Sequence, residues 1–186
     1  MEKHLLIFVN SPSKFNSEDL KSTTLKSYLS SMEHTVSITT KIAASKHVYY
    51  DSYIENDSVF NDEFYQKKIH KSHSAKQQLS DALKESFGQW AKKVVFLGNL
   101  WVDVDEKDFE VVFEKLNHNE FVILPNKKGG VLIFGTCFFN SELLNFFPWN
   151  NENDLLDTIL SLQKSKRTYC VLDVKNPRNW FKVIID

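Results

Sequence analysis

Apolar positions in this chain follow two rhythms. Short unbroken runs at His4–Asn10, Lys46–Tyr50, Val94–Gly98, Phe121–Pro125, Val131–Gly135 and Thr168–Leu172 read as strands, most of them of the kind buried on both faces. Phe64–His70 alternates weakly and reads as a minor strand. Elsewhere the apolar residues recur every three to five positions, which is one stripe of a helix. Leu20, Leu25, Leu29, Met32, Val36 and Ala43 make the first stripe, and Leu79, Ala82, Leu83, Phe87 and Trp90 the second. Phe109, Val112, Phe113 and Leu116 make a third, and Leu155, Leu156, Ile159 and Leu160 a fourth. Polar residues mark the helix starts. Ser17 caps a first turn carrying Glu18 and Asp19, Ser74 and Gln77 have capping-box spacing, Asp105 caps the third helix, and Asn151 or Asn153 the fourth. Leu143–Phe147 predicts a short helix ending at Pro148, and Pro177 opens a final one.

Strands alternating with helices predict an α/β fold: a three-layer α/β/α sandwich around a mostly parallel sheet. No repeat, low-complexity tract or Pro/Gly-rich linker interrupts the 186 residues, so one domain over 1–186 is expected. Fifteen phenylalanines predict a core filled by large rings. A net charge of -1 offers no electrostatic footprint for nucleic acid or an anionic membrane. No apolar run reaches the roughly 20 residues of a membrane helix. Leu5–Val9 is too short for a signal-peptide core and has no small-residue cleavage site after it, so a cytoplasmic protein is expected. Cys137 and Cys170 sit in separate apolar stretches and read as buried free thiols.

In open α/β sheets ligands sit outside the carboxyl ends of the strands, which singles out Lys93–Asp105. There an apolar strand runs into Gly98, a polar turn follows, and a helix begins at Asp105. Asp103 and Asp105 form an Asp-x-Asp pair of the kind that holds a hard divalent cation. Asp105 also reads as the helix cap, the reading adopted here, while Asp103 is open between metal ligand and solvated turn residue. Asn126–Gly130 reads as a hairpin turn whose consecutive glycines take positive φ. Gly129 and Gly130 would also let a backbone approach a sugar or phosphate closely. Lys127 and Lys128 are either solvated or hold a phosphate directly. His70 and His73 have no third metal ligand nearby and read as part of a surface loop. Trp101 either stacks on a ligand ring or fills the cleft beside Leu100; filling is the reading adopted.

One family shares this order of segments. The pieces are His4-Leu5-Leu6-Ile7-Phe8, Val48-Tyr49-Tyr50, Lys93-Val94-Val95-Phe96-Leu97-Gly98, the run Pro125 to Gly135, Trp149, and Leu172-Asp173-Val174-Lys175-Asn176-Pro177. Taken together the chain resembles the small bacterial glycosyltransferase-like proteins called radical-SAM/selenodomain-associated transferases, of the nucleotide-diphospho-sugar transferase superfamily. The resemblance implies a GT-A fold, a glycosyl- or nucleotidyltransferase activity, a nucleoside-diphosphate sugar as ligand, and a divalent cation (Mg or Mn). It implies nucleotide contacts at Ser11, Lys14, Asn99, Lys127, Lys128, Gly129 and Gly130, with Asp103 as both catalytic residue and metal ligand. The motifs are altered. The family's Pro-Gly-Lys-x-Lys-Thr-Arg-Leu loop reads Ser11 to Asn16 here, with Lys14 its only basic residue. Its Gly-Ser-Asp-x-Pro-Asp motif reads Gly98 to Asp103, so Leu100 replaces the first acid and weakens the case for a cation. Lys127 and Lys128 stand where the family carries acids, and Lys175 replaces the second Asp of a closing Asp-Val-Asp-Thr motif. Three readings follow: a transferase whose Asp103 assists a metal, a catalytically inactive relative serving as a binding or interaction module, and a metal-independent transferase using Lys127 or Lys128 for charge.

Overall fold

The computed structural model describes residues 2–10, 23–52, 59–72, 74–97, 104–126, 130–139, 154–173 and 180–181. In chain order these are β1 (Lys3–Val9), α1 (Thr23–Thr39), β2 (Ser45–Tyr50), β3 (Tyr65–Ile69), α2 (Ala75–Gly88) and β4 (Lys93–Leu97). Then come α3 (Glu106–Lys115), β5 (Phe121–Pro125), β6 (Val131–Thr136), α4 (Asp154–Lys164), β7 (Tyr169–Leu172) and β8 (Trp180–Phe181). The strands form one mixed sheet in the order β3-β2-β1-β4-β6-β5-β7-β8. β6 runs antiparallel to both β4 and β5, β8 runs antiparallel to β7, and the other neighbours are parallel. The mostly parallel α/β fold predicted from the sequence is therefore present.

Alternation along the strands sends side chains to two helical layers. Leu5, Ile7 and Val9 of β1 join Met32 of α1 and Phe109, Val112 and Phe113 of α3 in one apolar cluster. Leu6 lies with Leu79, Ala82 and Leu83 of α2 and Ile159 and Leu162 of α4 in the other. That is the three-layer sandwich. β6 passes unusually close beneath α3: a Cβ added at Gly135 would lie 2.8 Å from Val112 and 3.0 Å from Leu116. Glycine is needed there for close approach, not for backbone conformation.

Four details depart from the sequence reading. Trp90 does not continue the α2 stripe. The helix stops at Gly88, Trp90 takes φ 65°, and its side chain is 87% exposed. The buried stripe of α4 runs through Thr158, Ile159 and Leu162, leaving Leu156 and Leu160 49% and 42% exposed. Ala43 lies beyond the end of α1, between α1 and β2. Where a final helix was expected, Trp180 and Phe181 instead pair antiparallel with Leu172 and Val171. The predicted cap at Ser17, the short helix at 143–147 and the caps at Asn151 and Asn153 lie outside the described residues. No described helix is long and apolar enough to cross a membrane.

Candidate functional site

The strand order reverses direction between β1 and β4, which places a crevice outside their carboxyl ends. One register row fixes the floor of that crevice. Val48, Ile7, Leu97, Ile133 and Leu124 pair in sequence across β2, β1, β4, β6 and β5. All five are buried and face the α1/α3 layer. Because β6 is antiparallel, the amino end of β6 lies beside the carboxyl ends of β4 and β5. The chain therefore leaves β1 at Asn10, leaves β4 at Leu97, and turns from Asn126 to Gly130 along a single edge of the sheet. These are the segments that carry the predicted site.

Of the predicted site residues, Gly130 is described; Ser11, Lys14, Asn99, Asp103, Lys127, Lys128 and Gly129 lie outside the described residues, as do Leu100 and Trp101. Asn126 closes the turn on itself. Its backbone N–H donates to the Gly130 carbonyl at 2.8 Å, and its side-chain Oδ1 accepts from the Gly130 N–H at 2.9 Å. Gly130 does not occupy the left-handed region expected of it. Its smallness matters instead because a Cβ would lie 2.7 Å from the Asn126 amide nitrogen. The ladder slips by one residue at this end, with Leu124 opposite Ile133 but Pro125 opposite Val131. A proline has no N–H to give, which suits it to such an irregularity.

Asp105 is a helix cap, as the sequence reading held. Its Oδ1 accepts the Asp108 N–H at 3.1 Å and its own N–H donates to Asp108 Oδ2 at 2.9 Å, a complete capping box. Burial pushes the Asp108 carboxyl above its ordinary range, and the nearby Asp105 charge works in the same direction against the backbone bond from Asp105. One oxygen of the Asp105 carboxylate is thus committed to its own helix. Among the described residues no group of three or more His, Cys, Asp or Glu side chains could hold a metal ion.

Three contacts at this edge were not foreseen from the sequence. The Tyr28 hydroxyl of α1 accepts from the Asn10 N–H at 2.9 Å and donates to the Asn10 carbonyl at 2.8 Å. His34 of α1 bonds the Val104 carbonyl through Nε2 at 3.0 Å. On the α2 face, Phe8 sits edge-on to His70 at 4.4 Å, to Phe96 at 4.8 Å and to Tyr49 at 5.4 Å, while His70 stacks on Tyr49 at 5.2 Å. His70 is consequently not part of a purely surface loop; burial lowers it to about 4, against the opposing pull of Asp51 and Asp81. No local pattern announces a lone Tyr or His on a helix as a brace, and the aromatic group needs the β1–β2 register to assemble. Cys137 and Cys170 are free thiols, pushed upward chiefly by burial; Cys170 is fully buried and Cys137 half-buried. Neither has the lowered range of a nucleophile.

No family model and no curated protein matches the sequence. Solved structures match its fold. A candidate nucleotide-diphospho-sugar transferase from Desulfovibrio desulfuricans G20 superposes with a TM-score of 0.75 at 15% identity, over 92% of this chain and 79% of that one. A cytidylyltransferase from Leptospira borgpetersenii serovar Hardjo-bovis (strain JB197) gives 0.60 at 12% identity, over 98% and 82%. A CMP:2-keto-3-deoxy-manno-octonic acid synthetase complexed with CTP gives 0.54 at 10% identity, over 92% and 89%. The chain has a nucleotide-diphospho-sugar transferase-like fold, shared with cytidylyltransferases.

Proposed function

We propose that the chain binds a nucleoside phosphate, a nucleoside-diphosphate sugar or a nucleoside triphosphate, in the crevice outside β1 and β4, and acts as a glycosyl- or nucleotidyltransferase. The observation that carries this reading is the shared register row. It brings the exits of β1 and β4 and the Asn126–Gly130 turn to one edge, at the strand-order reversal where such folds take ligands. The sugar-nucleotide and cytidylyl chemistry named for the structural neighbours supports the ligand class. Fold alone does not choose the reaction. Within the fold, we read the chain as a relative of the radical-SAM/selenodomain-associated transferases on the resemblance of its matching segments, and the GT-A assignment and the sugar nucleotide rest on that same resemblance. In this reading Lys14, Lys127 and Lys128 meet the phosphates, Asp103 stands at the reacting end, and Ser11, Asn99, Gly129 and Gly130 shape the pocket.

A second reading has a specific observation behind it. Asp105 serves its capping box, and in the sequence Leu100 stands where the resembled family carries the first acid. That favours a nucleotide binder that has lost metal-dependent transfer, or one that relies on lysine charge. Thermal unfolding with CTP, UDP-glucose and GDP-mannose, each with and without manganese, separates the readings. Stabilisation that needs manganese supports the metal-assisted transferase. Stabilisation without metal that Lys128→Ala abolishes supports the lysine-based site. No shift with any of the three nucleotides overturns nucleotide binding altogether.

A further inference from the structure

Helix α1 is fixed to the sheet at its carboxyl end. The Tyr65 hydroxyl of β3 lies 2.9 Å from Thr39 Oγ1 and 2.8 Å from Thr40 Oγ1, and it reaches the Val36 carbonyl at 3.3 Å. Met32, Thr35 and Thr39 are buried beneath the helix. From this anchored element two side chains hold backbone outside the helix, one just past β1 and one at the entrance to α3. Tyr28 takes both backbone groups of Asn10, the first residue past β1, with one hydroxyl. His34 bonds the carbonyl of Val104, the residue before the Asp105 cap, and since a carbonyl can only accept, Nε2 carries the proton. Six residues of helix, a rise of about 9 Å, separate the two contacts. The exit of β1 and the entrance to α3 are 94 residues apart in sequence, from Asn10 to Val104, and both are braced by the same rigid body.

We propose that Tyr28 and His34 are positioning residues for the ligand site, with α1 as the brace that sets the spacing between the β1 exit and the α3 entrance. The inference rests on the nucleotide-binding reading above. Neither side chain needs to touch the ligand. Each removes backbone freedom at the root of a ligand-facing segment, so its loss lowers affinity by forcing the ligand to order that root itself.

The test is calorimetric binding of whichever of CTP, UDP-glucose or GDP-mannose the wild-type chain takes most tightly, beside melting temperatures. Tyr28→Phe and His34→Leu are each expected to weaken binding about tenfold, with the melting temperature moving by only a few degrees. His34→Gln, which restores an N–H donor of similar reach, is expected to bind as the wild type does. Equal affinity in wild type, Tyr28→Phe and His34→Leu overturns the brace while leaving nucleotide binding intact. So does a His34→Gln affinity as poor as that of His34→Leu. Absence of binding in the wild type itself overturns the nucleotide reading and the brace together. Should His34→Leu fail to fold, Tyr28→Phe decides through a second measurement. Amide exchange at Asn10 must rise with the loss of affinity, and unchanged exchange with unchanged affinity overturns the proposal.

Discussion

The two faces of the sheet are held in different ways. Towards α1 and α3 the contacts are mostly apolar and close: Phe109 and Val112 are fully buried, and Gly135 lets α3 sit within reach of the β6 backbone. Towards α2 the sheet also buries ionisable groups. His47 of β2 is 1% exposed, with neither ring nitrogen hydrogen-bonded, and its ring lies 4.7 Å from that of His4 on β1. Beside them the Tyr49 hydroxyl donates to Glu85 at 2.9 Å and Lys68 bonds the same carboxylate at 2.7 Å. Burial alone would raise Glu85, but the bonds from Lys68 and Tyr49 outweigh it and hold the carboxyl below its usual range. One face therefore depends more on shape and the other more on protonation state. The first should be the more sensitive to volume, and the second the more sensitive to mild acid.

Acid should expose that contrast most strongly. Burial, with the positive charge of Lys68 and the neighbouring His4, lowers His47 from 6.5 to about 4, against the pull of Glu85. The unfolded chain therefore binds a proton at a higher pH than the folded one. Stability attributable to neutral His47 is full above about pH 7, falls as the pH drops through 6.5, and is gone below about 4. The loss amounts to about 3 kcal/mol. Urea unfolding at pH 7.5 and pH 4.5 should show it, with most of it absent in His47→Gln. An equal pH dependence in both proteins would remove His47 from the account. His70, lowered for the same reason, should add to the slope in the same direction.

Volume should test the other face. Gly135→Ala forces a methyl against Val112 and Leu116 and should cost about 2 kcal/mol, equally at both pH values. A loss that appeared only in acid would blur the distinction between the faces. The smallest expected effect is on α2, where a Cβ at Gly88 meets nothing within 4 Å. Gly88→Ala should raise stability by about 0.5 kcal/mol through the unfolded chain, read as a small increase in urea midpoint.

The fold was legible because buried parallel strands are unbroken apolar runs and three of the helices keep a recognisable stripe. It was legible at Asp105 because a capping box is a local pattern. What sequence could not supply was direction. In α4, leucines lie on several sides of the helix, and only the sheet decides that Leu162 goes in while Leu156 stays out. Trp90 continued the helical spacing, but the chain had already turned out of the helix. Insertion of β6 between β4 and β5 is invisible in the one-dimensional order, although the Asn126–Gly130 turn marked the hairpin. The candidate site was legible as segments rather than contacts. Tyr28 and His34 act through partners 18 and 70 residues away, distances over which no spacing rule operates.

The closed turn at Asn126–Gly130 bears on how an anion could be received. Many phosphate sites rely on idle main-chain N–H groups lining a glycine loop. At this edge the N–H of Asn10 already serves Tyr28, that of Asn126 serves Gly130, and that of Gly130 serves Asn126. These three peptide groups have no donor left to offer a newcomer. A phosphate arriving beside them would have to find its donors in other groups, whether main-chain or side-chain. To the extent that charged side chains supply them, recognition tolerates changes in ligand shape more readily than a rigid peptide cradle does, and it weakens more steeply with salt.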